Sequence, residues 1–323
     1  MTMTQKPYRV ALVGVLACLM ALVAWFAGAS AANAGPGDSD CAGRGIPASK
    51  IGIQLWTYFP AILSGDSIEE IAASMQEVGI RNIERFGGTF DEPTLEDYAA
   101  AYKSHQVRSV SSHGSLDLAN WDQTLADAKL LNQKYVGSGG FGGPGFGSLA
   151  DTLQTAANLN ELGRRAHQQG LKLIVHNHDG EFTTMFPYDL DGDGDTEETS
   201  VVEIVLAETD PRWVSLELDI HWARLGLAGG RGDPDLAANL SDPSNQEMLL
   251  DFIDRWNDRI VLLHVKDTAP DGDFAEIGDG TTDWPEVFRA ADSVKYYFME
   301  YDFPPDPYYT AAAGFEYLSC LNW

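Results

Sequence analysis

Residues 51–78 read IGIQLWTYFPAILSGDSIEEIAASMQEV, and this stretch contains the unit from which the fold is built. Its first part, residues 51–57, is an apolar run with β-branched residues, which is typical of a buried strand. Its second part repeats apolar residues at intervals of three and four, which predicts the buried face of a helix. The residues of that face are Ile68, Ile71, Ala72, Met75 and Val78. The stretch therefore predicts a strand followed by a helix.

The same unit recurs along the rest of the chain, and no charged or proline-rich linker interrupts it. Further strands, separated by helical patterns, are predicted at residues 82–85, 109–113, 135–137, 172–176, 215–219, 260–265 and 296–300. Eight such units match the size of a (β/α)8 TIM barrel. No GxGxxG or GxxxxGK[ST] motif follows the first strand, which disfavours a nucleotide-binding doubly wound sheet. We therefore expect an α/β protein with one TIM-barrel domain over residues 50–323.

The composition is that of a globular protein with a large negative charge. Of the 323 residues, 44% are hydrophobic and 21% are charged, which provides ample apolar volume for a core. The 21 Lys and Arg residues against 48 Asp and Glu residues give a net charge of −27. Binding to nucleic acid depends on clustered cations that release counterions from phosphates, so we expect no nucleic-acid partner.

The first 34 residues have the pattern of a secretory signal peptide. Lys6 and Arg9 precede an apolar run over residues 10–26, and small residues follow up to Ala34. We expect cleavage after Ala34, a short approach segment over residues 35–49, and a secreted or extracytoplasmic mature protein that is not bound to a membrane. An uncleaved membrane anchor is the alternative, because the apolar run is long.

Export also affects the charge and the cysteines. Residues 1–34 contain two cations and no acid, so the mature net charge becomes −29. Cys18 leaves with the signal peptide, and Cys41 and Cys320 remain, one near each end of the mature chain. An oxidising compartment allows these two to pair, and a barrel brings its first and last elements side by side. We expect a disulfide between Cys41 and Cys320, with two free thiols as the alternative.

Five of the seven histidines lie at or just after a predicted strand end. They are His113, His176, His178, His221 and His264. In a TIM barrel the carboxyl ends of the strands converge on one face, where catalytic residues collect. The histidines therefore predict a polar active site on that face.

Acidic residues also lie at or after the predicted strand ends. Glu181 follows the fifth strand, Asp219 ends the sixth, His264 lies in the seventh and Glu300 ends the eighth. Three inward carboxylates would repel one another without a cation between them. Oxygen ligands with one imidazole suit a single divalent ion, with Mn²⁺ preferred over Mg²⁺, Co²⁺ or Zn²⁺. Separate salt bridges at the barrel rim are the alternative.

Six short motifs, in order along the chain, resemble the sugar phosphate isomerase/epimerase family of xylose isomerase-like TIM barrels. They are IGIQLWT (51–57), HNHDGEF (176–182), ELDIHW (217–222), HVKD (264–267), IGDG with DW (277–284) and MEYD (299–302). The resemblance implies metal ligation by Glu181, Asp219, His264 and Glu300. It makes Glu181 and Glu300 the candidate acid/base pair, with His178 and His113 as the next catalytic candidates, and places His178 and Lys266 near the substrate.

Two segments depart from the family pattern. Many members have a glutamate at the end of strand five, where this chain has His176, so His176 or His178 is an alternative ligand to Glu181. Residues 189–198 form an acidic insertion, and its DxDxDG run at Asp189, Asp191 and Asp193 resembles a calcium loop. The glutamate spacing of an EF-hand is not met, so a solvated acidic loop is the alternative to Ca²⁺ binding.

The expected activity is that of a sugar isomerase or epimerase. A metal held by acids can polarise the adjacent carbonyl and hydroxyl oxygens of a sugar, so that a proton between them is removed through an enediolate. Further candidates for substrate contact are His113, Lys266, Trp56, Trp222 and His221. The high negative charge favours an unphosphorylated sugar or keto-sugar as the small-molecule substrate.

Three other activities stay open from the sequence. A 3-keto-glycoside lyase would use the same deprotonation for β-elimination, and a sugar-binding barrel without catalysis would use the same pocket. A metal-dependent endonuclease is the weakest alternative, because no basic groove is evident. The identity of the sugar and the oligomeric state are not predicted.

Overall fold

Eight parallel strands close into a barrel in the computed structural model, which describes residues 45–87 and 94–323. We number these barrel strands β1 to β8 along the chain. They are β1 Ile51–Gln54, β2 Asn82–Phe86, β3 Arg108–His113, β4 Tyr135–Ser138, β5 Lys172–His176, β6 Val214–Asp219, β7 Ile260–Val265 and β8 Tyr296–Met299. Each strand pairs with the next along the chain, and β8 closes the barrel against β1. The predicted (β/α)8 TIM barrel is confirmed.

Helices follow the strands and cover the outside of the barrel. The α-helices are Phe59–Ser64, Ile68–Val78, Leu95–Ser104, Trp121–Leu130, Leu149–Gln168, Gly180–Thr183, Val201–Glu208, Ile220–Leu227, Leu236–Ser241, Pro243–Trp256, Trp284–Ala290 and Pro307–Cys320. Short 3-10 helices span Leu55–Tyr58 and Asn257–Arg259. The helix predicted from the apolar spacing begins after Ser67, whose side chain forms a capping box with Glu70.

The first strand is shorter than the sequence pattern predicts. Residues 51–57 were expected to be extended, but the strand ends at Gln54 and a 3-10 helix begins at Leu55. The Gln54 side chain accepts a hydrogen bond from the backbone N–H of Trp56 at 3.1 Å, which caps this turn. Apolar residues continue through the turn because it is also buried, so periodicity alone does not show where the strand ends.

Two small antiparallel sheets lie on the connections that follow barrel strands. Met185–Tyr188 pairs with Glu197–Ser200 after β5, and Asp267–Thr268 pairs with Phe274–Ala275 after β7. The acidic insertion is therefore the loop of a hairpin, which we call the 185–200 hairpin. Both connections leave the carboxyl ends of their strands, at the end of the barrel where a TIM barrel carries its active site.

The beginning of the described chain packs against its last helix. The Ile46 amide donates to the carbonyl of Leu318 at 2.9 Å, and a Cβ at Gly45 would lie 2.3 Å from the backbone of Ser319. Only glycine permits so close an approach. Cys320, at the end of that helix, is disulfide-bonded. The predicted partner, Cys41, lies outside the described residues, so the pairing stays a prediction.

The predicted signal peptide, residues 1–34, also lies outside the described residues. Among the helices of residues 45–87 and 94–323, we find none with the length and apolar character needed to cross a membrane.

Candidate active site

The carboxyl ends of the strands bring acids and histidines together at the centre of the barrel. The buried residues of this set are Glu84 on β2, His176 on β5, Glu217 and Asp219 on β6, His264 on β7 and Glu300 directly after β8. His113, at the end of β3, is half-buried. Residues two apart on a strand share a face, so Glu217 and Asp219 point inward together. Glu217 lies deeper in the barrel than Asp219, two residues or about 7 Å earlier along the strand at about 3.3 Å per residue.

We call Asp219, His264 and Glu300 the outer cluster. Ligand atoms from these three side chains lie within 4.8 Å of one another, and all three residues are buried. His264 Nδ1 is 2.8 Å from a Glu300 carboxylate oxygen and 3.8 Å from Asp219 Oδ2. Two carboxylates and one imidazole form a donor set that suits a divalent ion.

One oxygen of Asp219 is held in place and the other is left without a partner. Oδ1 accepts a hydrogen bond from the Trp222 amide at 2.9 Å and caps the helix Ile220–Leu227. Asn177 bonds to both the amide and the carbonyl of Asp219, which joins the ends of β5 and β6. Oδ2 is buried with no hydrogen-bond partner among the described residues. A buried carboxylate oxygen without a donor is costly, so this atom fits a cation.

We call His113, His176, Glu217 and His264, together with Glu84, the inner cluster. His113 Nε2 lies 2.6 Å from Glu217 Oε2 and 3.1 Å from Glu84 Oε2. His264 Nε2 lies 2.7 Å from the same Glu84 oxygen. Gln54 donates to Glu84 at 2.8 Å and helps to fix it. His264 therefore belongs to both clusters, with one ring nitrogen facing each.

In the inner cluster, the positive charge of two of the three imidazoles, those of His113 and His264, offsets the negative charge of the two carboxylates. Burial disfavours the charge on His113, but Glu84 and Glu217 outweigh it and raise the His113 pKa to about 10. Burial and the neighbouring Glu84 oppose the charge on Glu217, yet the two histidines lower its pKa to about 2. His176 differs, because burial is dominant there and holds its pKa well below the usual value.

Lys266 follows β7 and adds a buried positive charge beside the outer cluster. Its ammonium lies 2.8 Å from Asp302 Oδ1, 3.1 Å from Glu300 Oε2 and 3.7 Å from Asp219 Oδ2. Burial opposes this charge, but the carboxylates of Glu300, Asp219 and Asp302 raise the Lys266 pKa above its ordinary value. Lys266 is therefore a fixed cation at neutral pH.

The pKa values of the two carboxylates in the outer cluster are shifted in opposite directions. Burial raises the pKa of Asp219 to about 7, because its cationic neighbours lie almost 4 Å away. Burial also opposes the charge on Glu300, but the closer Lys266 and His264 hold its pKa below the usual range. Glu300 is the carboxylate that stays ionised.

A cavity of about 440 Å³ opens above these clusters. Among the predicted site residues, it is lined by Trp56, His113, His178, Lys266 and Glu300. Its other lining residues are Gln54, Phe86, Gly139, His176, Asp302 and Phe303. The volume is in the range of small-molecule sites.

Glu181 is not placed in either cluster. It lies in the short helix Gly180–Thr183, and its carboxylate accepts a hydrogen bond from the backbone amide of His178 at 2.9 Å. Burial raises its pKa. His176 Nε2, in contrast, lies 3.8 Å from Asp219 Oδ2, and its Nδ1 has no hydrogen-bond partner among the described residues. The roles predicted for Glu181 as ligand and base stay predictions.

His178, His221 and Trp222 form the side of the site next to Lys266. The Lys266 ammonium lies 5.2 Å from the Trp222 ring centroid, and His178 contacts the same ring. Burial and the charge of Lys266 lower the His178 pKa to about 4. His221 is buried and its Nδ1 lies 3.0 Å from Thr268 Oγ1. Trp222 and His221 are not among the described residues that line the cavity, whereas His178 is.

Sequence reasoning missed Glu84, Glu217 and Asp302. Glu217 was visible in the pattern Leu-Glu-Leu-Asp, since it shares a strand face with Asp219. Glu84 lies inside β2 and gives no local signal beyond an acid in an apolar run. Asp302 lies past the end of β8, and its contact with Lys266 and its place in the cavity lining appear only in the folded structure.

In the exposed 185–200 hairpin, oxygens of Asp189, Asp191 and Asp193 lie within 4.8 Å of one another. Both Asp189 oxygens accept backbone hydrogen bonds, from Gly192 and Gly194. The turn thus gathers the three predicted calcium ligands, and Ca²⁺ binding stays a prediction.

The sequence of residues 52–318 matches the family described as "Xylose isomerase-like TIM barrel". Because the match covers most of the chain, the protein belongs to this family, as the six motifs indicated. None of the curated proteins with which the chain was compared matches it.

Solved structures with this fold include enzymes of several kinds. A sugar phosphate isomerase/epimerase from Parabacteroides distasonis superposes with a TM-score of 0.62 at 21% identity, covering 85% of this chain and 98% of that one. A D-allulose 3-epimerase from Methylomonas sp. gives a TM-score of 0.54 at 14% identity, with 85% and 97% covered. The probable 3-DHS dehydratase AsbF from Bacillus anthracis gives 0.58 at 13% identity, with 84% and 98% covered. At these identities the likeness shows the fold alone.

Proposed function

We propose that the protein is a divalent-metal-dependent sugar isomerase or epimerase that moves a proton on a carbon next to a carbonyl. The observation that supports this best is the outer cluster at the floor of the cavity. There Asp219 presents a buried, unpartnered oxygen beside His264 and Glu300. The names of two structural neighbours, an isomerase/epimerase and an allulose epimerase, agree with this reaction class.

Asp219, His264 and Glu300 would hold the metal ion, and Mn²⁺ is the ion we propose first. For the fourth ligand we favour His176 over Glu181, because His176 is close to Asp219 while the Glu181 carboxylate accepts a hydrogen bond from the His178 amide. When bound, the ion would polarise adjacent carbonyl and hydroxyl oxygens of a sugar.

The chain's own groups supply the proton transfer. Glu300 lines the cavity, so its carboxylate is placed to remove a proton from the sugar. The protonated Glu300 carboxyl would return the proton to the neighbouring carbon, and a solvent proton on the opposite face would complete epimerisation. His178 lines the same cavity, and because its low pKa leaves the ring uncharged, it is placed to hydrogen-bond the sugar oxygens. Lys266 lies 3.1 Å from Glu300 and would stabilise negative charge on the reacting oxygen.

An unphosphorylated substrate fits the cavity better than a sugar phosphate. Lys266 is the one lysine or arginine among the described lining residues, and three carboxylates already surround its ammonium. A phosphate group at this site would need cations that are not already paired. The net charge of −27 adds repulsion for an anionic substrate.

Metal analysis of the purified protein, followed by sugar turnover in D₂O, tests the proposal. We expect one equivalent of divalent metal and deuterium on the carbon next to the carbonyl. Glu300→Gln should reduce this exchange by about a hundredfold or more. Turnover without solvent deuterium, and without loss in Glu300→Gln, would contradict the proton-transfer role.

The same experiment separates the two alternative activities. A 3-keto-glycoside lyase would release the substituent, and NMR of the products would show an unsaturated sugar. A sugar-binding barrel would keep its sugar affinity after removal of the metal and would exchange no hydrogen. Neither result is expected.

We also propose that the mature protein is exported, begins near Gly35 and carries a disulfide between Cys41 and Cys320. The charged and apolar pattern of residues 1–34 supports export, and the packing of Gly45 beside Ser319 supports the pairing. Intact mass of the mature protein with and without a reductant tests both. A retained amino terminus would contradict the first, and two free thiols would contradict the second.

A further inference from the structure

Four aromatic rings form one wall at the mouth of the cavity. Trp56 stacks on Phe59 with 4.4 Å between ring centroids, and the Phe86 and Phe303 rings meet Trp56 edge to face at 5.1 and 5.3 Å. Three of the four, Trp56, Phe86 and Phe303, line the cavity. We call these four residues the aromatic wall.

Phe303 combines an exposed side chain with a strained backbone conformation. Its side chain is 56% exposed, and its backbone φ is +55°. A left-handed backbone costs a residue with a Cβ about 1–2 kcal/mol, and an exposed ring gains little from burial. Strained residues of this kind concentrate at functional sites.

The chain segment that carries Phe303 also carries the chemistry of the site. Glu300 belongs to the outer cluster, Asp302 pairs with Lys266 at 2.8 Å, and Phe303 comes next in the sequence. The strained backbone therefore places an apolar ring at a fixed distance from the reacting groups.

The other side of the cavity is polar. His178, Lys266 and Asp302 line it, with Glu300 at the floor. A ligand that fits both sides has a hydroxylated part over the clusters and an apolar part against the rings. A free monosaccharide offers the rings only its C–H face, which covers less apolar surface than an aromatic substituent does.

We propose that the aromatic wall is a subsite for an apolar, aromatic substituent of the sugar, so that the substrate class is a keto-glycoside with such an aglycone. The ring keto group supplies the carbonyl next to which the proton is removed. This rests on the proposed function of the same cavity. The rings of Trp56 and Phe303 contact the aglycone, while the sugar ring lies over the outer cluster. Aromatic rings bind such groups through apolar burial and ring stacking.

Titration of the metal-loaded full-length mature chain with phenyl and methyl glycosides of the same sugar tests this inference. Glucosides and galactosides, with and without a 3-keto group, provide the pairs. For the pair that binds, we expect the phenyl compound to bind about tenfold more tightly than the methyl compound. Phe303→Ala should bring that ratio close to one and leave the methyl compound's affinity within about twofold.

Phe303→Gly is the second variant, because glycine accepts the positive φ without strain. It should lose the preference for the phenyl compound while its melting temperature stays the same or rises. Tyr309→Ala is the matched control, since Tyr309 is an aromatic residue 60% exposed that does not line the cavity. Its phenyl-to-methyl ratio should equal that of the unchanged protein.

The outcomes distinguish this inference from the proposed function. Equal affinities for the two compounds, or a preference that survives both Phe303 variants, would overturn the aromatic subsite and leave the proton-transfer proposal standing. A preference that depends on Phe303 in a protein without deuterium exchange would support the subsite and defeat the proposed reaction. Binding of neither compound in any pair would overturn both.

Discussion

The two ends of the barrel differ in the charged side chains that the strands carry. Each of the eight strands has a lysine or arginine at its first residue or within the two residues before it. They are Lys50, Arg81, Arg108, Lys134, Lys172, Arg212, Arg259 and Lys295. The carboxyl ends instead carry Glu84, Glu217, Asp219 and Glu300 toward the barrel centre. The strands therefore carry cations at their amino-terminal ends and inward-pointing acids at their carboxyl ends.

Several cations at the amino-terminal end bond to neutral groups that hold the fold together. Arg259 donates to the carbonyls of Leu206 and Val214 and to Thr209 Oγ1. Arg108 donates to Asn82 Oδ1, and Lys134 to the Tyr296 hydroxyl. At the other end, Asp219 Oδ2 and Glu217 Oε1 have no hydrogen-bond partner among the described residues. Polar groups with fixed partners serve structure, whereas buried oxygens without donors are available to a ligand.

The largest expected effect is the loss of the metal ion after substitutions at the carboxyl-terminal end of the barrel. Asp219→Ala and His264→Ala should each abolish metal retention, because loss of one ligand leaves too few donors around the ion. Turnover should fall by about a hundredfold or more. Elemental analysis after dialysis measures the metal, and Arg289→Gln, an exposed change, is the control. Stoichiometric metal in both variants would contradict the assignment of metal binding to the carboxyl-terminal end.

At the amino-terminal end we expect a loss of stability instead. Arg259→Met should lower the free energy of unfolding by about 2–4 kcal/mol, because two buried carbonyls and a hydroxyl lose their donor. Metal content should not change. Denaturant unfolding measures the effect, and Lys295→Gln, an exposed cation at the same end, should stay within about 0.5 kcal/mol. Loss of metal in folded Arg259→Met would contradict the assignment of this end to structure.

Glu217→Gln tests the inner cluster, which lies between the two ends. The amide cannot hold His113 and His264 as the carboxylate does, so metal affinity should fall by about 10–100-fold while the metal still binds when supplied in excess. The free energy of unfolding should fall by about 3 kcal/mol, because the buried His113 imidazolium loses one of its two carboxylate partners. Competition with a chelator measures the affinity. An unchanged metal affinity would mean that the inner cluster has a structural role only and does not support the metal site.

The smallest effect is expected at the exposed acids of the 185–200 hairpin. Millimolar Ca²⁺ should raise the melting temperature by about 2–4 °C, corresponding to about 1 kcal/mol. Asp191→Asn should reduce this shift, and Mg²⁺ should not produce it. If Asp191→Asn showed the same rise in melting temperature, the rise would come from general screening of the net charge by Ca²⁺ and not from binding to this loop.

Most of the fold was predictable because the strand and helix pattern is local. The helix Ile68–Val78 has the bounds that its apolar spacing predicts, and β5 and β7 also begin and end where the sequence pattern placed them. The error in β1 arose at Leu55, where a buried 3-10 turn has the same apolar composition as a strand. Local patterns identify burial better than they identify the backbone geometry of buried residues.

The sequence by itself determined the barrel, the face on which the acids and histidines gather, and the presence of Asp219, His264 and Glu300 in one place. It did so because strand ends in a TIM barrel converge, whatever the details of packing. Only the tertiary structure decided that Glu84 and Glu217 form a second cluster below them, that the Glu181 carboxylate accepts a hydrogen bond from the His178 amide, and that Asp302 holds Lys266. Those contacts join residues up to 180 positions apart, and their formation depends on side-chain direction and distance, which no local pattern encodes.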